Sequence, residues 1–131
     1  AQRVTAHRLG ESEITDVALR LMADHTRTMT FLVSDGVIPS NEDRGYVLRR
    51  IIRRAIRFAY LTGVDRLVLG EMIERCIDVM GDAYPELVAN RDLVLSTVAR
   101  EEEKFRQTLK TGSTLLDSEL ATLPPLPMHW P

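Results

Sequence analysis

The sequence has little of what catalysis, metal binding or secretion would require. It has one cysteine, Cys76, in 131 residues, so no internal disulfide can form. Its three histidines, His7, His25 and His129, are too scattered to suggest a metal site. No His-x-x-x-His, CxxC pair, Gly-rich phosphate loop or Gly-x-Ser-x-Gly occurs. No apolar run approaches the roughly 20 residues that span a bilayer, and Ala1-Gln2-Arg3-Val4-Thr5-Ala6-His7 lacks the apolar core of a secretory signal. These absences argue against a membrane protein and favour the cytoplasm. They leave no nucleophile, acid/base pair or ligand cluster, so no catalytic residue, cofactor or metal site is expected. The size and the 44% hydrophobic content fit one soluble binding domain with a real core.

What is present is concentrated in one stretch. From Arg44 to Tyr60 there are six arginines and no acid, whereas the rest of the chain carries 11 basic and 19 acidic residues. At 3.6 residues per turn, Val47, Leu48, Ile51, Ile52, Ala55 and Ile56 share one face, and Arg49, Arg50, Arg53, Arg54 and Arg57 the other. Solvated helix faces normally mix signs, so that neighbours three and four apart attract. Here those neighbours repel. Three readings follow, in this order: a phosphate-bearing ligand or nucleic acid, compensation by acids elsewhere in the fold, and a membrane surface. The planar fork of arginine suits phosphate oxygens. The pI near 5.9 decides little, because a patch acts within about 8 Å at physiological salt.

Taken in order, residues 1–14 read as an N-terminal arm, residues 15–122 as a helical domain, and residues 123–131 as a proline-rich tail. A first helix is expected from Thr15 or Asp16, burying Val17, Leu21, Met22, His25, Met29, Leu32 and Val33, with His25 packed and hydrogen-bonded there. Asp35-Gly36 ends it. Ile38 is held extended by Pro39, and Asn41 has an ordinary reading as an N-cap or Asx-turn residue. Gly45, one turn into the arginine helix, costs about 1 kcal/mol relative to alanine, which points to close approach of another backbone or a ligand.

The arginine helix should stop at Leu61-Thr62-Gly63. A third helix is expected over 65–80, with Cys76 a small core residue. Pro85 suits a first helical turn. From Asn90 a long helix should run through Leu93, Val94, Val98, Phe105, Leu109, Leu115, Leu116 and Leu120, with Gly112 a candidate kink. Within it Glu101-Glu102-Glu103 reads as a solvated face, with pairing to the helix arginines as the alternative. The fold class is therefore all-α, a compact bundle of four to five helices with one long C-terminal helix and an irregular tail.

Ala23-Asp24-His25-Thr26-Arg27, followed by the continuous run from Asp35 to Ala55, strongly resembles the middle, tRNA-recognising helical region of alanyl-tRNA synthetases. The resemblance continues more loosely through Asp78-Val79-Met80-Gly81, Tyr84-Pro85-Glu86-Leu87, Glu101 to Phe105 and Thr108 to Gly112, and covers about 18–120. It implies a partner, the acceptor stem of tRNA(Ala), whose identity is set by a G·U wobble pair. It also implies that Asn41 reads that pair while Arg44, Arg49, Arg50, Arg53, Arg54 and Arg57 support the stem. The family's aspartate-bearing Tyr-Asp-Thr-Tyr-Gly-Phe-Pro segment, its ATP- and alanine-binding motifs, its zinc-dependent editing domain and its oligomerisation domain have no counterpart in these 131 residues. Neither aminoacylation nor editing is expected of them alone. Two origins stay open: a piece of an alanine-tRNA ligase, or a free-standing paralogue that acts as an accessory module beside a separate catalytic domain or an enzyme using alanyl-tRNA. The unusual Leu126 to Pro131 ending leans to the second. A rival of another class is a helical interaction domain whose arginines are covered by Glu101 to Glu103 or by a partner protein.

Overall fold

The computed structural model describes residues 1–64 and 66–124, and the described chain is an all-α bundle without strands. In chain order the helices are α1 (Gln2–Thr5), α2 (Glu13–Ser34), α3 (Asp43–Leu61), α4 (Leu69–Met80), α5 (Pro85–Ala89) and α6 (Arg91–Thr122). The count is six because the first 14 residues contain a short helical turn. Val4 and Thr5 of that turn are buried, Val4 against Met22 and Ala59, and the His7 ring contacts the Thr62 carbonyl at 3.0 Å. Of the tail, residues 125–131 lie outside the described part.

Helix α2 is the central member, touching α3, α4, α5 and α6. It starts at Glu13 rather than Thr15, because Ser12 is the N-cap and accepts the Thr15 N–H. Its buried face is also rotated from the expected one. Ala18, Leu19, Met22, Thr26, Met29, Thr30 and Val33 are inside, while Val17 is exposed and His25 half-buried. Two threonines can be buried because each hydroxyl donates back along the helix, Thr26 to the Met22 carbonyl at 2.6 Å and Thr30 to the Thr26 carbonyl at 2.7 Å. Gly36, at φ 95°, turns the chain out of α2 in a conformation that costs glycine little.

Helix α3 buries Leu48, Ile52, Ala55 and Ile56 completely in a cluster with Met29 and Val33 of α2 and Ile73 and Ile77 of α4, and Ala59 in a second with Met22 and Met72. Val47, at the margin of the expected apolar face, is 52% exposed. Gly45 lies where the chain before α3 folds back on its first turn. A methyl there would meet the Ile38 carbonyl and the Ser40 side chain, while the Ser40 N–H donates to the Gly45 carbonyl at 3.1 Å. The close approach anticipated from the sequence is thus made by the chain's own backbone.

The 65–80 helix begins only at Leu69, with Asp65 outside the described residues. Its start is fixed from α6. The Glu102 carboxylate, only 1% exposed, accepts the Val68 N–H at 2.9 Å and the Leu69 N–H at 3.2 Å. Burial pushes this carboxyl above the usual carboxylate range, against the pull of those two N–H groups and Arg106. Cys76 is half-buried with its thiol pushed up by burial, as suits a packing residue.

Helix α6 runs unbroken through Gly112. Val94 and Val98 enter the core, but the distal half projects into solvent. Leu115, Leu116 and Leu120 are 62%, 59% and 54% exposed. No helix among the described residues is long and apolar enough to cross a membrane.

Replacing Gly45 with Ala should destabilise the chain by about 2 kcal/mol, since the added methyl would meet the Ile38 backbone carbonyl as well as the Ser40 side chain. Urea denaturation reads this directly, and an unchanged midpoint would contradict the packing described.

Candidate nucleic-acid interface

The arginines on α3 divide into two groups. Arg49 is largely buried and held: its Nε donates to Glu101 Oε2 at 3.2 Å and its Nη2 to Glu101 Oε1 at 2.9 Å, a two-point fork onto α6. Glu101 is therefore not on a solvated face, and neither is Glu102. They are 7% and 1% exposed, whereas Glu103 is exposed. The reason is helical geometry. Successive residues point about 100° apart, so one faces α3, one faces the start of α4, and one faces water.

Arg44, Arg50, Arg53, Arg54 and Arg57 are exposed, and none has a carboxylate within ion-pair distance among the described residues. Two of them rest on aromatic rings, which orient a guanidinium without neutralising it. Arg50 lies 5.8 Å from the Tyr46 ring centroid and Arg53 lies 5.3 Å from that of Phe105. Among the described residues, compensation by the fold thus reaches Arg49 alone of the stripe.

The stripe borders a cleft of about 600 Å³ between α2, α3 and α6, with His25, Arg50, Arg53, Arg54, Arg57 and Phe105 among its lining. His25 belongs to this cleft rather than to the core. Its imidazole is held below its ordinary value first by burial and then by the Arg54 charge. Sequence reasoning missed it because its position on α2 read as part of an apolar face. Phe105, half-buried against the core, also serves as a platform under Arg53.

Asn41 neither caps α3 nor forms an Asx turn. The N-cap is Glu42, in extended conformation, and Ser40 supplies the local turn by accepting the Glu42 N–H at 3.3 Å. The Asn41 amide oxygen instead accepts from Arg49 Nη1 at 2.7 Å. The side chain remains exposed, at the start of the helix that carries the arginines. Asp43, beside it, has φ 50°, an uncommon left-handed backbone for a non-glycine residue.

The model of the family described as tRNA synthetases class II (A) matches residues 1–126. The chain is also 50% identical over 109 residues to an alanine-tRNA ligase of Nitratidesulfovibrio vulgaris (strain Hildenborough), spanning 83% of this chain and 12% of that protein. It belongs to the alanyl-tRNA synthetase family. Alanine-tRNA ligases of Frankia casuarinae and Clostridioides difficile (strain 630) are similar as well. They are 48% identical over 118 residues and 45% identical over 122 residues, or 90% and 93% of this chain. The chain spans only 13% and 14% of their lengths. In this member of the alanyl-tRNA synthetase family, the arginine stripe and Asn41 are carried by α3 and its entry loop, and the cleft is completed by α2 and α6.

Because the folded His25 resists protonation, the unfolded chain takes up a proton that the folded one refuses as pH falls through the ordinary imidazole value of about 6.5. Stability contributed by this group is present above that value and is lost below it. His25→Gln should flatten the dependence of the urea midpoint between pH 7.5 and 5.5. In an NMR titration of the ring, Arg54→Gln should raise the His25 pKa toward its ordinary value.

Proposed function

We propose that this chain binds the acceptor stem of tRNA, with tRNA(Ala) and its G·U pair as the preferred target. It does so as the tRNA-recognition region of, or derived from, an alanyl-tRNA synthetase. The observation that carries the reading is the row of five exposed arginines, Arg44, Arg50, Arg53, Arg54 and Arg57, without acidic partners among the described residues, along one helix and leading from Asn41. From Arg44 to Arg57 the helix rises roughly 20 Å, enough to follow several phosphates of one strand. These contacts position the stem and carry no sequence information.

Sequence information comes from Asn41. An A-form stem presents a wide, shallow minor groove, and in a G·U pair the guanine amine there lacks its usual partner. The Asn41 oxygen, with one lone pair given to Arg49 Nη1, keeps a second for that amine. A single such bond amounts to about 0.5–1.5 kcal/mol net, which sets a G·U preference of up to roughly tenfold. Aminoacylation requires the catalytic machinery of a separate domain or enzyme, and the proposed compartment is the cytoplasm.

Binding of the chain to an acceptor-stem RNA carrying G·U, and to the same RNA with G·C, at two salt concentrations tests this. Asn41→Ala should equalise the two RNAs. Arg54→Gln and Arg57→Gln should each weaken both alike and reduce the salt slope by about one. Absence of salt-dependent binding to either RNA would sink the reading and favour a helical protein-interaction domain.

A further inference from the structure

We infer that Glu101, on α6, is a positioning residue for Asn41, acting through Arg49 to fix which end of the asparagine amide faces the RNA. The inference rests on the acceptor-stem reading above and deepens it.

The Arg49 guanidinium has five N–H bonds. Its Nε and Nη2 meet Glu101, its Nη2 also reaches the Pro39 carbonyl at 3.4 Å, and its Nη1 donates to Asn41 at 2.7 Å. One planar group thus ties α6, α3 and the loop before α3 together. With those donors committed and the side chain 18% exposed, Arg49 is poorly placed to leave for a phosphate. Its task is to hold Asn41.

That hold has a direction. An asparagine amide can present an acceptor or, after a half-turn, a donor pair at almost the same shape. Facing a guanidinium, only the oxygen is tolerated, because the amide nitrogen would set donor against donor. The amide oxygen is therefore fixed on the Arg49 side with one lone pair left, which matches a guanine amine. An amide free to turn would offer hydrogens to a hydrogen donor for part of the time. The Glu101 carboxylate is what keeps Arg49 from swinging outward, since the fork is charge-assisted at both points and Glu101 is 7% exposed.

The signature differs from that of a residue that merely holds the fold. Glu101→Gln removes one negative charge beside a cationic face, so overall RNA affinity should hold or rise and its salt dependence steepen. The preference for G·U over G·C should meanwhile fall toward one. A fold defect would lower binding to both RNAs.

The test has two readouts on the 131-residue chain. The first is ¹⁵N relaxation of the Asn41 side-chain amide without RNA, which should be ordered in the wild type and mobile in Glu101→Gln. The second is the G·U to G·C affinity ratio of the two proteins. Should Glu101→Gln fail to fold, Arg49→Lys carries both readouts, since it keeps the charge but loses the fork. An Asn41 amide equally ordered with and without the bridge, or a G·U preference kept in the variant, overturns the inference. If the wild type shows no G·U preference, the acceptor-stem readout falls, and the relaxation comparison by itself decides whether Glu101 sets the amide.

Discussion

Helix α3 must hold like charges together on one side, and it can do so because of what it buries on the other. Arginines three and four apart repel by about 0.2–0.5 kcal/mol per pair, so the pairs among Arg50, Arg53, Arg54 and Arg57 together cost on the order of 2 kcal/mol. Burying a single leucine or isoleucine side chain returns about 1.5–3 kcal/mol, and Leu48, Ile52 and Ile56 are all fully buried on this helix. The core thus outweighs the repulsion. It fixes α3 with its cationic side outward, and the cleft and the entry loop follow from that placement.

The acidic triplet on α6 organises the surroundings of that side without cancelling it. Glu101 neutralises the one arginine that turns inward, Glu102 fixes where α4 begins, and Glu103 faces water. Had all three pointed at α3, the stripe would have been quenched. The helical period prevents this, so an acidic run next in space to a basic one leaves most of the basic charge in place. The interaction-domain alternative drew on such a cover, which among the described residues reaches Arg49 alone.

The parts legible in the sequence are those that depend on near neighbours in the chain. The extent of α3, its two faces, the stop at Asp35-Gly36, the first-turn proline of α5 and the crowding at Gly45 all follow from residues within a few positions. The parts that were not legible join distant segments. Arg49 and Glu101 are 52 residues apart and Val68 and Glu102 are 34 apart, and nothing in either local pattern announces the pairing. On α2 the misleading signal was chemical. Threonines count as polar in a periodicity reading, yet back-bonded Thr26 and Thr30 sit in the core and shift the buried face by about a residue, which is why His25 was taken as inside. The distal leucines of α6 keep core-like spacing, yet no tertiary partner covers them among the described residues and they stay exposed.

The Glu102 contact also bears on the order of assembly. A helix start capped by its own neighbour can form as soon as the local chain is made, but the start of α4 waits for a carboxylate on α6. Until α6 docks, the amides of Val68 and Leu69 lack the acceptor that Glu102 supplies. A helix later in the chain thus completes an earlier one. That carboxylate ties the start of α4 and the inner face of α6 into one unit.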